Sequence, residues 1–222
     1  SVLGAPFFIM DRLEGETVGR RIVREPGLAD ARRLLPRQMG EQLARIHQVD
    51  IARNDLTFLS SNLPGRSPAE TAQERALNQL WRLGEPHPVL ELAARWLQSH
   101  APPCDRLVLV HGDFRVGNLV VSPNGLRGVL DWEFAHVGDP AEDLAWPIVR
   151  SWRFGQDTLR LGGVGQPDEF FQSYEQAGGH PVDRAAVAYW EILGNFRWAV
   201  GCIAQAHRHL SGQAPSIELA SL

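Results

Sequence analysis

Apolar residues at helical spacing predict a largely helical chain. Over 30–49 they recur so that one face of a helix would be buried: Leu34, Leu35, Met39, Leu43, Ala44 and Ile46. Pro36 is expected to mark a first turn or a break in this helix. Further helices are predicted from Pro68, over 88–100, from Pro140, over 167–177 and over 183–210.

Two of these helices begin with a recognisable cap. Ser67, Pro68 and Glu70 form a serine cap, a proline in the first turn and a glutamate that can return a hydrogen bond to the cap. Asp139 followed by Pro140 is a second start of this kind. We therefore expect helices to begin at these points.

Short Leu- and Val-rich runs interrupt the helical pattern and predict strands over 107–110, 119–121 and 128–130, with Asn124-Gly125 as a tight turn. An apolar run over 5–10 predicts one more strand, which has no partner before it. The predicted fold class is α+β and mainly α, with a small central β-hairpin sheet.

Composition narrows the possible chemistry. The 222 residues carry a formal net charge of −4, and all 22 basic residues are arginine. Without lysine, the chain cannot supply a Schiff base or a phosphate-binding lysine. The mildly negative net charge does not indicate a surface that binds nucleic acid. The most apolar stretch, 185–206, is interrupted by polar and charged residues and is not expected to span a membrane. Two cysteines and no secretory signal favour the cytoplasm.

The candidate chemistry lies between the predicted strands. Asp113 and Asn118 are five residues apart, and Asp131 follows 13 residues after Asn118. Strand ends could bring the three side chains to one point. Phosphoryl transfer needs such a set, with a carboxylate to accept the proton of the attacking hydroxyl and oxygen ligands to hold Mg²⁺.

These motifs resemble a known group of enzymes. His111-Gly112-Asp113 with Asn118, then Leu130-Asp131-Trp132-Glu133, then Gly138-Asp139-Pro140 with Asp143 are similar in order and spacing to the aminoglycoside phosphotransferase and choline kinase superfamily. The closest resemblance is to phosphotransferase-like domains related to those fused to acyl-CoA dehydrogenases. The resemblance implies a protein-kinase-like fold and transfer of the γ-phosphate of ATP, or GTP, to a hydroxyl of a small molecule.

The resemblance also implies site roles. Asp113 would be the catalytic base, supported by His111, with Asn118 and Asp131 as ligands of Mg²⁺. The hinge beside the adenine would lie over 7–13, so we expect nucleotide contacts from the backbone of Met10, Asp11, Arg12 and Leu13.

Other residues near these motifs have predicted roles from their own chemistry. Arg115 could neutralise charge on the γ-phosphate, although a solvated arginine is the simpler interpretation. Glu133 could contact metal or an acceptor hydroxyl. Asp139 is expected to cap its helix, and Asp143 to accept backbone N–H groups of the catalytic loop. The tryptophans at 81, 96, 146, 190 and 198 are expected in the core.

The resemblance covers 7–212 and only the hinge and the C-terminal lobe. We expect residues 1–15 to be a hinge strand and linker, and 16–222 to be the helical catalytic lobe. The N-terminal lobe, with its lysine, has no counterpart here, so we expect the sequence to come from a longer kinase and to be poorly active alone.

Several alternatives remain open at this stage. Acidic side chains at 168, 169, 175 and 191 would suit a cationic acceptor, whereas aromatic side chains at 189, 190, 196 and 198 would suit an apolar or choline-like one. The domain could instead be a catalytically silent binding or regulatory module. It could also be an interaction module that forms a homodimer through the orphan hinge strand.

Overall fold

A computed structural model describes residues 4, 7, 9–59 and 62–221. In these ranges the chain is mainly helical. The α-helices are α1 Gly19–Arg24, α2 Ala29–His47, α3 Pro68–Leu83, α4 Pro88–Ser99, α5 Pro140–Ala145, α6 Pro167–Gln176, α7 Arg184–Leu210 and α8 Ile217–Ala220. The strands are β1 Val108–Val110, β2 Leu119–Ser122, β3 Gly125–Val129 and β4 His136–Gly138. The helices predicted from periodicity and caps are confirmed.

The core forms where α2 packs against α6. Leu35, Met39 and Leu43 lie on the buried face of α2, as their helical spacing predicts. Gly40 on the same face lies against the backbone carbonyl of Phe170, where a Cβ atom would collide. A glycine here therefore allows the two helices to approach closely.

Pro36 lies inside α2 and does not break it, so that expectation is wrong. The helix begins at Ala29, seven residues earlier than Pro36, and continues to His47. The proline is buried and lies against Gly165, where an added Cβ would come within 2.5 Å of its ring. Tertiary packing offsets the hydrogen bond that a proline removes from a helix interior.

The strands form two antiparallel pairs instead of one central hairpin. β2 pairs with β3, and β1 pairs with β4, with Val108 opposite Gly138. β3 begins at Gly125, three residues before the predicted strand, so the turn is Pro123-Asn124 instead of Asn124-Gly125. β4 was not predicted. Its pairing with β1 brings the segment after Asp131 back beside the start of the loop over 111–118.

The predicted hinge strand is not present at its described positions. Phe7, Ile9 and Met10 have no strand assignment, and positions 5, 6 and 8 lie outside the described residues. Among the described residues, the first backbone pairing is at Glu16, which forms an isolated bridge with Val121.

None of the helices within the described residues has the length and apolar character that a membrane-spanning segment needs.

Candidate active site

The loop over 111–118, predicted to be the catalytic loop, connects β1 to β2 and ends in a short 3-10 turn over Val116–Asn118. Gly112 has φ +82°, and an added Cβ would lie 2.5 Å from the carbonyl oxygen of Phe134, so only glycine fits. The backbone N–H of Leu130 donates to the carbonyl of Asn118 at 2.8 Å. Asp131 therefore directly follows Leu130, the residue whose N–H is bonded to Asn118.

Asp113 is 8% exposed and binds three side-chain donors. Asn118 donates its Nδ2 to Oδ2 at 2.6 Å, and Arg115 donates Nε to Oδ1 at 3.0 Å. The indole N–H of Trp146 donates to Oδ1 at 2.5 Å. The structure thus joins the predicted base directly to Asn118 and Arg115.

Asp143 anchors the backbone of this loop, as predicted. Its carboxylate is fully buried and accepts the backbone N–H groups of His111 at 2.6 Å and Gly112 at 2.9 Å. Behind it, His47 Nε2 lies 3.3 Å from Oδ2, and His47 Nδ1 lies 2.8 Å from the hydroxyl of Tyr174. Burial raises the pKa of Tyr174 to about 12, so this hydroxyl stays protonated.

His111 is held on both sides of its ring. The backbone N–H of Asp113 donates to Nδ1 at 3.2 Å, so Nε2 carries the proton that bonds the carbonyl of Leu130 at 2.9 Å. The side chain is fully buried. His111 therefore connects the loop to the residue after β3 through its two ring nitrogens, and neither nitrogen is left to bind a substrate.

Asp131, Glu133 and Arg115 line the same cleft as Asp113. The cleft has a volume of about 830 Å³, and its two carboxylates after β3 are exposed. Asp131 has φ +67°, a left-handed conformation that aspartate adopts more readily than most residues. The guanidinium of Arg115 lies 4.6 Å from the ring centre of Trp152, which fixes it beside Asp113.

Sequence reasoning missed a charged cluster on the cleft wall. Glu142 is 4% exposed and contacts Arg197 and, at 3.2 Å, His136. Burial raises the pKa of Glu142, but the charges of Arg197 and His136 outweigh it and bring the pKa to about 2. Burial lowers the pKa of His136, but the hydrogen bond and charge of Glu142, together with the carbonyl of Phe134 and the charge of Asp143, raise the pKa overall.

The hydrogen-bond geometry of His136 agrees with a raised pKa. Its Nδ1 faces the carbonyl of Phe134 at 2.9 Å and its Nε2 faces Glu142. Both partners are acceptors, so the doubly protonated ring satisfies both. The wall therefore places Arg197 and a histidine whose protonated form is favoured around one buried carboxylate.

The aromatic part of the wall also differs from expectation. Trp146, Trp152 and Trp198 line the cleft, whereas Trp190 is a core residue that donates to Asp139. The expectation that Trp81 lies in the core is wrong, because it is 64% exposed; Trp96 is also exposed, at 38%. A usable signal for Trp146 was its position three residues after Asp143, on the same side of a helical segment.

The side chains proposed for acceptor recognition do not converge. Of the aromatic residues at 189, 190, 196 and 198, only Trp198 is in the cleft lining, and none of the acidic residues at 168, 169, 175 and 191 is there. Glu191 instead binds Arg160 at 2.7 Å and Arg153 at 3.4 Å. Met10, Asp11, Arg12 and Leu13 are exposed and lie outside this lining.

Two residues near Asp113 carry oxygen donors that suit a magnesium ion bound to a nucleotide. Asn118 is 5% exposed and is not among the residues that line the cleft. It uses Nδ2 for Asp113, which leaves its amide oxygen on the other branch, whereas Asp131 is exposed and lines the cleft. Within the described ranges, no group of three or more His, Cys, Asp or Glu residues could hold a metal. Mg²⁺ bound to phosphates needs only one or two protein ligands, so this donor set fits.

Comparison with known proteins agrees with this geometry. The chain is 32% identical over 237 aligned residues to acyl-CoA dehydrogenase family member 10 of Mus musculus, covering 97% of this chain and 21% of the relative. The chain thus spans about a fifth of that relative's length.

Among solved structures, a Ralstonia eutropha protein provisionally assigned as an aminoglycoside phosphotransferase matches 96% of this chain and 67% of its own, with a TM-score of 0.73 and 24% identity. The GDP complex of aminoglycoside 2'-phosphotransferase-IIIa matches 92% of this chain and 64% of its own, with a TM-score of 0.57 and 12% identity. The fold corresponds to the C-terminal part of such structures. Because the model of the phosphotransferase enzyme family matches residues 1–190, the chain belongs to that family.

Proposed function

We propose that this chain is the catalytic lobe of a kinase-like phosphotransferase that transfers the γ-phosphate of ATP or GTP to a hydroxyl of a small molecule. The observation that carries the proposal is the 2.6 Å contact that Asn118 makes with Asp113, a residue that lines the cleft together with Asp131. A carboxylate base and two oxygen donors in one place match the needs of phosphoryl transfer.

In this proposal Asp113 orients the acceptor hydroxyl and takes its proton. It is nearly buried and held by several donors, so its oxygens are already oriented before the acceptor arrives. Asp143 holds the loop through the backbone N–H groups of residues 111 and 112.

Asn118 and Asp131 would hold Mg²⁺ through their side-chain oxygens. When bound, the ion neutralises charge on the phosphates. Arg115 would add positive charge at the transferred phosphoryl group, and its position beside Asp113 supports that role. Glu133 would contact the acceptor or the metal from the rim of the cleft.

The nucleotide base would lie against the backbone of 10–13, which we propose as the hinge from an N-terminal lobe. In this division 1–15 is hinge and linker, and 16–222 is the catalytic lobe. The free thiols of Cys104 and Cys202 suit the cytoplasm that we propose as its compartment.

A test of this function needs the longest natural protein that contains the chain. We expect transfer of phosphate from Mg·ATP or Mg·GTP to at least one member of a panel of hydroxylated small molecules, followed with γ-³²P nucleotide. Asp113→Asn should remove the transfer, and Asp168→Asn, an exposed carboxylate outside the cleft lining, should retain it.

A second outcome would favour the alternative function. Binding of Mg·ATP without transfer to any acceptor, and without nucleotide hydrolysis, would indicate a silent binding or regulatory domain. The intact set at 113, 118 and 131 argues against this, because a silent domain has no chemical need for all three side chains.

A further inference from the structure

Trp146 makes the shortest of the side-chain contacts to Asp113, and sequence reasoning placed it in the core. Its indole N–H donates to Oδ1 at 2.5 Å, against 2.6 Å for Asn118 and 3.0 Å for Arg115. Trp146 is 9% exposed and Asp113 is 8% exposed. Water therefore competes weakly for this bond, and hydrogen bonds between a neutral donor and a carboxylate are strong under such conditions.

The segment that carries Trp146 also holds the loop backbone. Asp143, three residues earlier, accepts the N–H groups of His111 and Gly112. Residues three apart in a helical segment face the same side. The segment 143–146 therefore binds the loop at two points, the backbone before Asp113 and the carboxylate of Asp113 itself.

The indole ring has little freedom to leave this position. Trp152 packs against it at a centroid distance of 5.4 Å, and the guanidinium of Arg197 lies 5.4 Å from its ring centre. On α7, Gly194 lies beside the ring, where an added Cβ would stand 3.4 Å from Cε3. Since Trp152 also packs against Arg115, the two tryptophans fix both the base and its arginine partner.

We propose that Trp146 is a positioning residue for Asp113. The indole N–H holds the carboxylate in the rotamer that presents its oxygens to an acceptor hydroxyl in the cleft. The proposal rests on the phosphotransferase function, but the contact itself can be tested without it.

The contact is tested by the indole ¹⁵N–¹H signals of the protein. Trp146→Phe removes and so identifies one signal, and Trp190→Phe identifies another that reports the similar bond to Asp139 at 3.1 Å. We expect Asp113→Asn to shift the Trp146 signal upfield and to leave the Trp190 signal in place. A Trp146 signal unmoved by Asp113→Asn overturns the proposal whatever the activity of the protein.

The role is tested by steady-state kinetics in the longest natural protein, normalised to the folded fraction. A misplacement of about 1 Å can cost on the order of a hundredfold in rate, so Trp146→Phe should lower kcat by about tenfold or more. The nucleotide KM should change by less than about twofold, because no nucleotide contact is removed.

Trp190→Phe is the matched control, since it removes the same kind of bond, from an indole N–H to Asp139 at 3.1 Å, outside the cleft lining. It should leave kcat within about threefold of wild type. Equal losses of kcat in both variants, or a Trp146→Phe effect confined to KM, would mean that Trp146 does not act by positioning Asp113. Failure of the phosphotransferase function itself would appear differently, as no transfer by the wild-type protein.

Discussion

The carboxylate of Asp143 accepts the backbone N–H of His111 at 2.6 Å from a position that is fully buried. The same carboxylate accepts the N–H of Gly112 and lies 3.3 Å from His47. Two N–H groups of the catalytic loop therefore depend on one side chain, 31 or 32 residues further along the chain.

Asp143→Asn should lower the free energy of unfolding by about 2 kcal/mol or more. An amide can accept at only one of its two branches, so one buried N–H group loses its partner. Urea unfolding followed by circular dichroism measures the change. Asp168→Asn is the control, because its ion pair with Arg184 is exposed and should contribute less than about 0.5 kcal/mol. Equal stabilities of the two variants would refute this account of the loop.

Local signals in the sequence were sufficient for the helix starts. Ser67 and Glu70 form both bonds of the predicted capping box, and Asp139 caps α5 through the N–H of Ala141 at 2.8 Å. These contacts join residues within three positions of each other, so the sequence contains both partners and their spacing. The five-residue interval between Asp113 and Asn118 keeps both in one loop, where they are in contact, and the roles assigned to these residues and to Asp131 stay predictions.

The features that were missed depend on long-range packing. β4 has three residues and too little alternation to be recognised, and it exists because β1 supplies its partner. Trp146 reaches Asp113 across 33 positions, and Arg197 reaches Glu142 across 55. Trp81 occupies an ordinary helical position, and nothing nearby in the sequence indicates that its side chain stays exposed. Propensity and spacing do not contain such information.

Asp131→Asn should abolish metal-dependent turnover and leave the fold intact. Asparagine tolerates the φ of +67° at this position, so the change removes charge with little backbone strain. Urea unfolding should show less than about 0.5 kcal/mol of change. Turnover is measured at several Mg²⁺ concentrations in the longest natural protein. Unchanged turnover would reject the role proposed for Asp131.

Asp131→Ala is the informative partner of that variant. Alanine pays for the left-handed conformation with about 1 kcal/mol of strain, so it should lose both activity and stability. A variant pair that differs in stability but not in activity separates the chemical role of the carboxylate from its conformational role. If alanine were as stable as asparagine here, the left-handed assignment would be wrong.

Ser67→Ala should lower the free energy of unfolding by about 1 kcal/mol. The serine hydroxyl accepts the N–H of Glu70 at 3.2 Å, and Glu70 accepts the N–H of Ser67 at 2.8 Å. The cap begins α3, which contributes Thr71 and Gln79 to the cleft wall. Ser216→Ala is a matched control, because Ser216 caps only the four-residue α8. Thermal and urea unfolding should separate the two variants, and equal effects would contradict the prediction.

Glu142 links stability to pH through the charged cluster on the cleft wall. Its folded pKa, about 2, lies below the ordinary value of 4.5, so its contribution to stability is present above pH 4.5 and is lost as the pH falls toward 2. His136 acts in the opposite sense. Its pKa is raised above 6.5, so its contribution is complete below that pH and is lost as the pH rises through the folded pKa.

Glu142→Gln should therefore make the free energy of unfolding depend less on pH below pH 4.5. The wild-type protein should lose on the order of 3 kcal/mol from this group between pH 4.5 and 2. The variant should start lower at pH 6, because Arg197 and His136 then face each other without their shared carboxylate, and it should fall less steeply on acidification. Urea unfolding at intervals from pH 6 to 2 measures both effects. Glu74→Gln, at a half-buried position of α3 where the carboxylate pairs with Arg66 at 3.6 Å, should follow the wild-type curve. If the free energy of unfolding fell equally steeply with acidification in wild type and in Glu142→Gln, the buried carboxylate would not be the source of this pH dependence.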